Sequence, residues 1–262
     1  MTQTYALDGT PEGEVDLPPV FATPLRRDLI RKAFVNLASH SYQRQGRKPS
    51  AGMDVVADSN DPPTGRGVSR VARAAGGGGG RQGQGAEVAS TRGGRQAHPP
   101  KAEKVIYKKL NKKEGKLALC SAIAATASRR LAEARGHVVD GDKEFPLVVS
   151  DGIESVSRAS EALGVLGALG IAGDSARLES RRRRSGRPLL RGRAKKEGKS
   201  ALFVVSDASK ISRAVGAIPG VEAVSAGTLS VLDLAPGSDP ARLAVYSVSA
   251  IRELGRLGRA PA

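Results

Sequence analysis

The sequence is short of four things, and each shortage removes a class of function. It has one cysteine, Cys120, in 262 residues, so no internal disulfide can form. Cys120 falls on an apolar helical pattern, where it is expected to pack as a small hydrophobe. The histidines His40, His98 and His137 are far apart in sequence, and with one cysteine they make no metal-ligand spacing. Tryptophan is absent and aromatic residues make up 3%, too few for the stacking surface of an RRM or OB fold. No apolar run is long enough to span a membrane. Met1–Pro11 is polar, with no apolar signal-peptide core, so a cytoplasmic location is expected.

Catalytic motifs are scarce too. Gly198-Lys199-Ser200 looks like the end of a phosphate-binding loop, but position 193 is Arg193 and the apolar run follows the motif instead of preceding it. Gly83-Gln84-Gly85 is not completed, because position 88 is Val88. Asp151, Ser206 and Asp207 sit where an α/β sheet would place catalytic groups. An isolated Asp before Gly more often serves as a turn or cap residue. No catalytic, metal or cofactor residues are assigned.

What is abundant is positive charge, and it is concentrated. The net charge is +16. Thr64–Lys101 holds eleven glycines and seven Arg or Lys against the single acid Glu87. Arg181–Lys199 holds ten basic residues and one acid. These two stretches account for nearly all the excess, so the rest of the chain is close to neutral. A Gly/Arg-rich segment with few apolar residues cannot offset the entropy of ordering its backbone. A disordered basic linker would have this composition. So would a loop ordered by a folded polyanion, whose phosphates suit planar guanidinium forks. A run such as Arg181–Arg184 cannot lie in a core; it is either a solvated loop or a second RNA anchor.

The wording of the first stretch is distinctive. TGRGVSRVAR, GGGGRQGQGA and RGGRQAHPPK, followed by ALCSAIAAT, resemble the universal large-subunit ribosomal protein number four family in its archaeal and eukaryotic form. GEVDLPPVFATPLRRDLIRKAF, RGHVVDGDKEFPLVVSD and DLAPG extend the resemblance over most of the chain. Ala72 and Glu87 depart from the family pattern, which has proline and an aromatic there. The absence of a long basic C-terminal extension suits the archaeal form.

The resemblance implies a structural protein of the large ribosomal subunit that binds the 5′ region of large-subunit rRNA. It further implies that a loop tip at Arg66, Gly67, Val68, Ser69, Arg70, Val71 and Arg73 lines the polypeptide exit tunnel. Its neighbours there would be the nascent polypeptide and the universal large-subunit protein number twenty-two. No membrane or small-molecule partner is expected. The residues assigned to rRNA are Arg66, Arg70, Arg73, Arg81, Arg92, Arg95, Lys101, Lys104 and Lys108, then Arg181, Arg182, Arg183, Arg184, Arg187, Arg191 and Arg193. Two other readings stand beside this one. The first is an α/β enzyme acting on RNA or a nucleotide, and the second is a free regulator of messenger RNA.

The expected fold is α/β: a mainly parallel sheet flanked by helices, with a long extended internal loop. Residues 1–44 form the N-terminal part of the globular domain, 45–100 the extended loop and 101–262 the α/β body with its basic loop 181–199. A hairpin is expected around Asp8-Gly9, formed by Tyr5–Leu7 and Glu14–Leu17. Thr23-Pro24 reads as the start of a helix running to about Tyr42. Lys101–Leu110 reads as a basic helix with Lys104, Lys108 and Lys112 on one face, and a second helix runs from about Lys113 to Arg135. Buried strands are expected at Pro146–Ser150 and Ala201–Ser206, and further strands at Val221–Ser225 and Leu243–Ser247. Helices are expected at Val156–Leu169, Ala208–Ala217 and Val248–Leu257.

Overall fold

In this computed structural model the residues described are 1–59, 65, 67–76, 80–179, 181–195 and 198–257. In chain order the strands are β1 (Thr2–Tyr5), β2 (Pro11–Val15), β3 (Ala57–Asp58), β4 (Arg73–Ala74), β5 (Leu147–Val149), β6 (Leu202–Val205), β7 (Glu222–Ser225) and β8 (Ala244–Ser247). The helices are α1 (Arg27–Ala38), α2 (Lys112–Thr126), α3 (Arg129–Ala134), α4 (Ala159–Ala168), α5 (Ala172–Glu179), α6 (Arg187–Leu190), α7 (Ile211–Val215), α8 (Val231–Leu234) and α9 (Val248–Leu254). Contacts divide the chain into two units, Met1–Ser39 with Lys108–Ala262, and His40–Tyr107.

The first unit is built on a six-stranded sheet of order β2-β1-β5-β8-β6-β7. Only the β1–β2 hairpin is antiparallel; every other pair is parallel. The fold is therefore α/β with a mainly parallel sheet. Strands β5, β6 and β8 are buried throughout, as their continuous apolar runs require when helices cover both faces. Successive side chains alternate between those faces. Val148, Leu202, Val204 and Tyr246 pack with Ile30, Ala33, Cys120, Ile123, Leu234 and Ile251. Leu147, Val149, Phe203, Val205 and Val245 pack with Val165, Leu166, Ile211 and Val215 on the other side. Among the described residues, neither apolar cluster contains one from 40–107.

Several sequence expectations need correction. The hairpin strands are Thr2–Tyr5 and Pro11–Val15, with Gly9 at φ +77 in the turn. Helix α1 starts at Arg27, not after Thr23. Thr23 closes a 3-10 turn at Pro19–Ala22 in an extended conformation. Ser121 of α2 then serves the helix entry from across the layer. Its hydroxyl accepts the Arg26 N–H at 2.7 Å and donates to the Pro24 carbonyl at 3.0 Å.

Lys101–Leu110 is not helical. It follows Pro99-Pro100, and Val105 and Tyr107 are exposed, so no apolar stripe holds a helix there. Lys104 and Lys108 therefore share no helical face. The long helix predicted to Arg135 is two, α2 and α3, broken where Ser128 becomes extended. Just before the break, the Thr126 hydroxyl pairs with the Tyr246 hydroxyl and donates back to the Ile123 carbonyl, both at 2.7 Å, a pattern that competes with helix continuation. Helix α5 lies outside the predicted elements because its buried residues include Asp174 and Ser175, which hydropathy assigns to the surface.

Among the described residues, two charged side chains with no exposed surface organise the polar interior. Asp174 pairs with His137 Nδ1 at 3.1 Å and accepts Ser200 Oγ at 2.5 Å, Arg177 Nη2 at 2.9 Å and the Val138 N–H at 3.2 Å. Burial alone pushes the Asp174 carboxyl up, but the bonds from His137, Ser200 and Arg177 outweigh it and hold the pKa at about 2. Arg242 donates to the Ser200 carbonyl at 2.7 Å, to Glu222 at 2.7 Å, and to the carbonyls of Asp233 at 3.1 Å and Gly220 at 3.0 Å. Glu222 is shared with Lys199.

Three predictions follow from this packing. Arg242→Ala removes the guanidinium donor from Glu222 and from the carbonyls of Ser200, Gly220 and Asp233, and is expected to cost about 3–5 kcal/mol in urea unfolding. The folded pKa of Asp174 lies below its unfolded value, so its contribution is complete above about pH 4 and is lost as pH falls toward 2. Asp174→Asn is expected to flatten that acid limb of the stability curve, worth about 2 kcal/mol. Deleting residues 45–97 is expected to leave a folded sheet unit, with its helical circular dichroism and a cooperative melt retained.

Candidate nucleic-acid interface

The His40–Tyr107 unit has almost no apolar interior. Among its described residues Ala86 is the one buried hydrophobic side chain. Backbone pairing supplies its order. Strands β3 and β4 pair antiparallel, and Arg73 bridges to Gly85. The Ala74 N–H donates to Gln84, the Ala86 N–H to Ala72 and the Ala75 N–H to Val56, at 2.8, 2.9 and 2.8 Å. So the Gly/Arg-rich stretch carries a short three-segment ladder instead of being featureless. Small residues make it possible. A Cβ on Gly52, itself at φ +85, would lie 2.4 Å from the Gly94 backbone, so these two segments touch main chain to main chain. Glu87, one of the departures from the family wording, sits at φ +60.

The start and end of this unit are tied together. The Arg47 N–H donates to the Pro100 carbonyl at 3.3 Å, and its guanidinium donates to Gln96 at 2.7 Å. The Arg44 guanidinium lies 5.5 Å from the Tyr107 ring centre, and the His40 ring is also 5.5 Å away. Sequence reading assigned no role to Arg44 or Arg47, which fall outside the glycine-rich wording. A cleft of about 740 Å³ is lined by Arg47, Arg95, His98 and Lys101 together with Met53 and Pro99. It combines a cationic rim with an apolar wall, a chemistry that suits a phosphate and an attached base.

Arg70, Arg81, Arg92, Arg95, Lys101 and Lys104 are exposed, as are Gly67, Val68, Ser69 and Val71. Among the described residues none of these basic groups is in an ion pair. Arg81 donates only to the Arg92 carbonyl, at 3.5 Å. Arg73 differs. It is half-buried, and its Nη1 donates to the Gly83 carbonyl at 2.9 Å, so it holds the ladder as well as offering charge. Arg66 lies outside the described residues. Lys108 is exposed and belongs to the sheet unit.

The second basic stretch belongs to the sheet unit. Arg181, Arg182, Arg183, Arg187, Arg191 and Arg193 are exposed and Arg184 is half-buried. Gly186 at φ +66 turns the chain into the four-residue α6. The Arg184 N–H donates to the Ala194 carbonyl and the Arg193 N–H to Pro188, both at 2.8 Å, which closes the loop on itself. A cleft of about 480 Å³ collects Arg181, Arg182, Lys195 and Lys199. Its exit is fastened by Ser200, whose hydroxyl meets Asp174 and whose carbonyl meets Arg242. These anchors were not legible in the sequence, because a serine and an arginine beside an apolar run give no sign of burial.

The candidate phosphate-loop lysine is therefore occupied by Glu222 and the candidate serine by Asp174. The polar groups at the sheet's carboxyl edge also satisfy one another. Glu154 accepts the Ser206 N–H at 2.8 Å, Ser247 Oγ at 3.0 Å and Ser249 Oγ at 2.7 Å. Asp151 accepts the Ser249 N–H at 2.8 Å in the first turn of α9, a capping role. Asp207 binds the Ser209 backbone and hydroxyl.

The family model for the ribosomal protein L4/L1 family matches residues 15–257. The chain is 42% identical over 254 residues to large ribosomal subunit protein uL4 of Haloquadratum walsbyi, covering 97% of this chain and 98% of the relative. It is 41% identical over 251 residues to the protein of that name from Halobacterium salinarum, covering 95% and 97%. It is 40% identical over 253 residues to that from Methanococcus maripaludis, covering 96% and 97%. The chain belongs to the ribosomal protein L4/L1 family.

Proposed function

We propose that the chain is a structural constituent of the large ribosomal subunit that binds large-subunit rRNA through its two cationic stretches. It is a ribosomal component of archaeal type and not an enzyme, in keeping with its family. The observation that carries the reading is the placement of charge. Net positive charge is gathered in residues 64–101 and 181–199, where among the described residues the exposed arginines are in no ion pair, and the remainder is close to neutral. Free guanidinium groups on a backbone with little apolar support fit a partner that supplies phosphates from several sides. Aromatic residues are few, so recognition rests on phosphate and shape, with little base readout.

The finer assignment is that residues 45–100 thread between RNA segments while the sheet unit anchors the protein. The bound RNA is the 5′ region of the large-subunit rRNA. The tip at Gly67–Val71, with Arg66 and Arg73, lines the exit tunnel, next to the universal protein number twenty-two and the nascent polypeptide. Exposed Val68 and Val71 beside Arg70 support this placement, since a tunnel wall meets both peptide and RNA.

Replacing Arg70, Arg81 and Arg92 with Ala is expected to lower the salt slope of binding to an rRNA fragment by about 0.7 per lost phosphate contact. An unchanged slope would mean that these side chains do not touch phosphate. A photoreactive residue at Ser69 is expected to cross-link to nascent peptide in stalled ribosomes. Cross-links to rRNA alone would move the tip out of the tunnel lumen.

A further inference from the structure

The first 25 residues contain no Lys or Arg but hold Asp8, Glu12, Glu14 and Asp16. In a chain of net charge +16 this acidic stretch is misplaced for a surface that meets RNA. It forms the β1–β2 hairpin, and β2 is an edge strand of the sheet. Pro11–Glu14 is exposed. Charges and proline on an edge ordinarily keep other strands away. Here the charges are of one sign, so the edge rejects phosphate and acidic chains while attracting basic ones.

A second observation points to a ligand. A cleft of about 300 Å³ is lined by Thr4, Glu12, Gly13, Glu14 and Asp151. Thr4 is 6% exposed, and its hydroxyl has no hydrogen-bond partner. A buried hydroxyl left unmet is costly and calls for a donor or acceptor from outside. Gly13 is the cross-strand partner of Thr4. Nothing lies within 4 Å of where its Cβ would stand, so the missing side chain leaves the space open. Among the described residues no group of acids is close enough to hold a metal ion. Separated carboxylates around an open cleft suit an organic cation carried on a chain.

We propose that the outer edge of β2 is a docking site for an extended, arginine- or lysine-bearing segment of a neighbouring protein. The segment adds to the sheet as a further strand and places a guanidinium or ammonium in the cleft beside Thr4. Main-chain hydrogen bonds supply affinity and the cleft supplies selectivity. The carboxylates of Glu12 and Asp151 meet the charge, with Glu14 adding negative potential along the same edge.

The test uses the full chain, isotope-labelled, without RNA, so its outcome is separate from that of the ribosomal reading. The probe is a short peptide alternating Arg and Thr, with a Gln-for-Arg peptide, a short oligonucleotide and magnesium chloride as comparisons. The net positive charge of the protein repels such a peptide elsewhere, which keeps non-specific binding low. The expected result is amide shifts confined to Thr2–Val15 and the neighbourhood of Asp151, for the Arg peptide alone. Two variants probe the site independently. Glu12→Gln with Glu14→Gln removes charge, and Gly13→Val fills the cleft in space that is empty. Each is expected to weaken binding about tenfold with the melting curve unchanged. The proposal is overturned by absent binding, by shifts located elsewhere, or by the unaltered protein's affinity in either variant. It is also overturned if the oligonucleotide or magnesium gives the same shifts.

Discussion

A guanidinium stays charged at any physiological pH and carries five donors that must be met by water, acids, carbonyls or phosphates. That requirement divides this chain. Among its described residues the sheet unit takes one arginine fully out of water, Arg242, and surrounds it with Glu222 and the carbonyls of Ser200, Gly220 and Asp233. Most remaining arginines lie where water or an external anion can reach them. The two basic stretches are the extreme case, with too few acids of their own to neutralise them. An unpaired charge of this density resists compaction, and among the described residues the apolar clusters draw nothing from 40–107.

Order in the basic stretches therefore comes from the main chain and from their ends. In the His40–Tyr107 unit, alanine and glycine allow backbone segments to pair without side chains between them. The Arg47–Pro100 bond closes the unit. In residues 181–199, the buried Asp174–Ser200 and Arg242–Ser200 contacts fasten the exit of the loop to β6. Function and stability are separated by this arrangement. On the proposed function an exposed arginine serves binding, whereas Arg242 and Asp174 serve the scaffold that presents it. Arg73 belongs to both groups, since its guanidinium also holds the ladder at Gly83.

The sheet was legible because Leu147–Val149, Leu202–Val205 and Ala244–Ser247 are continuous apolar runs, and such runs have few alternatives to a doubly covered strand. Helix ends were less legible, because tertiary contacts set them. Ser121, distant in sequence, serves the entry to α1, and Thr126 ends α2 through Tyr246. Lys101–Leu110 does not form the helix that its lysine spacing suggests, because no apolar stripe accompanies the lysines. Helix α5 was missed because its buried side is polar. The basic segments were legible from charge alone. Their fastening was not, since burial of Ser200 and Arg242 depends on partners that only the fold brings together.

The central claim is that phosphate contacts made by the two basic stretches hold this protein in the large ribosomal subunit. The most direct measurement is sedimentation of the native protein from cell lysate through a sucrose cushion, before and after a high-salt wash. Retention with large-subunit particles after the wash is the predicted result, because many contacts enclosed by RNA are screened less than exposed ones. A protein that stays in the supernatant, or leaves the particles in moderate salt, would contradict the account.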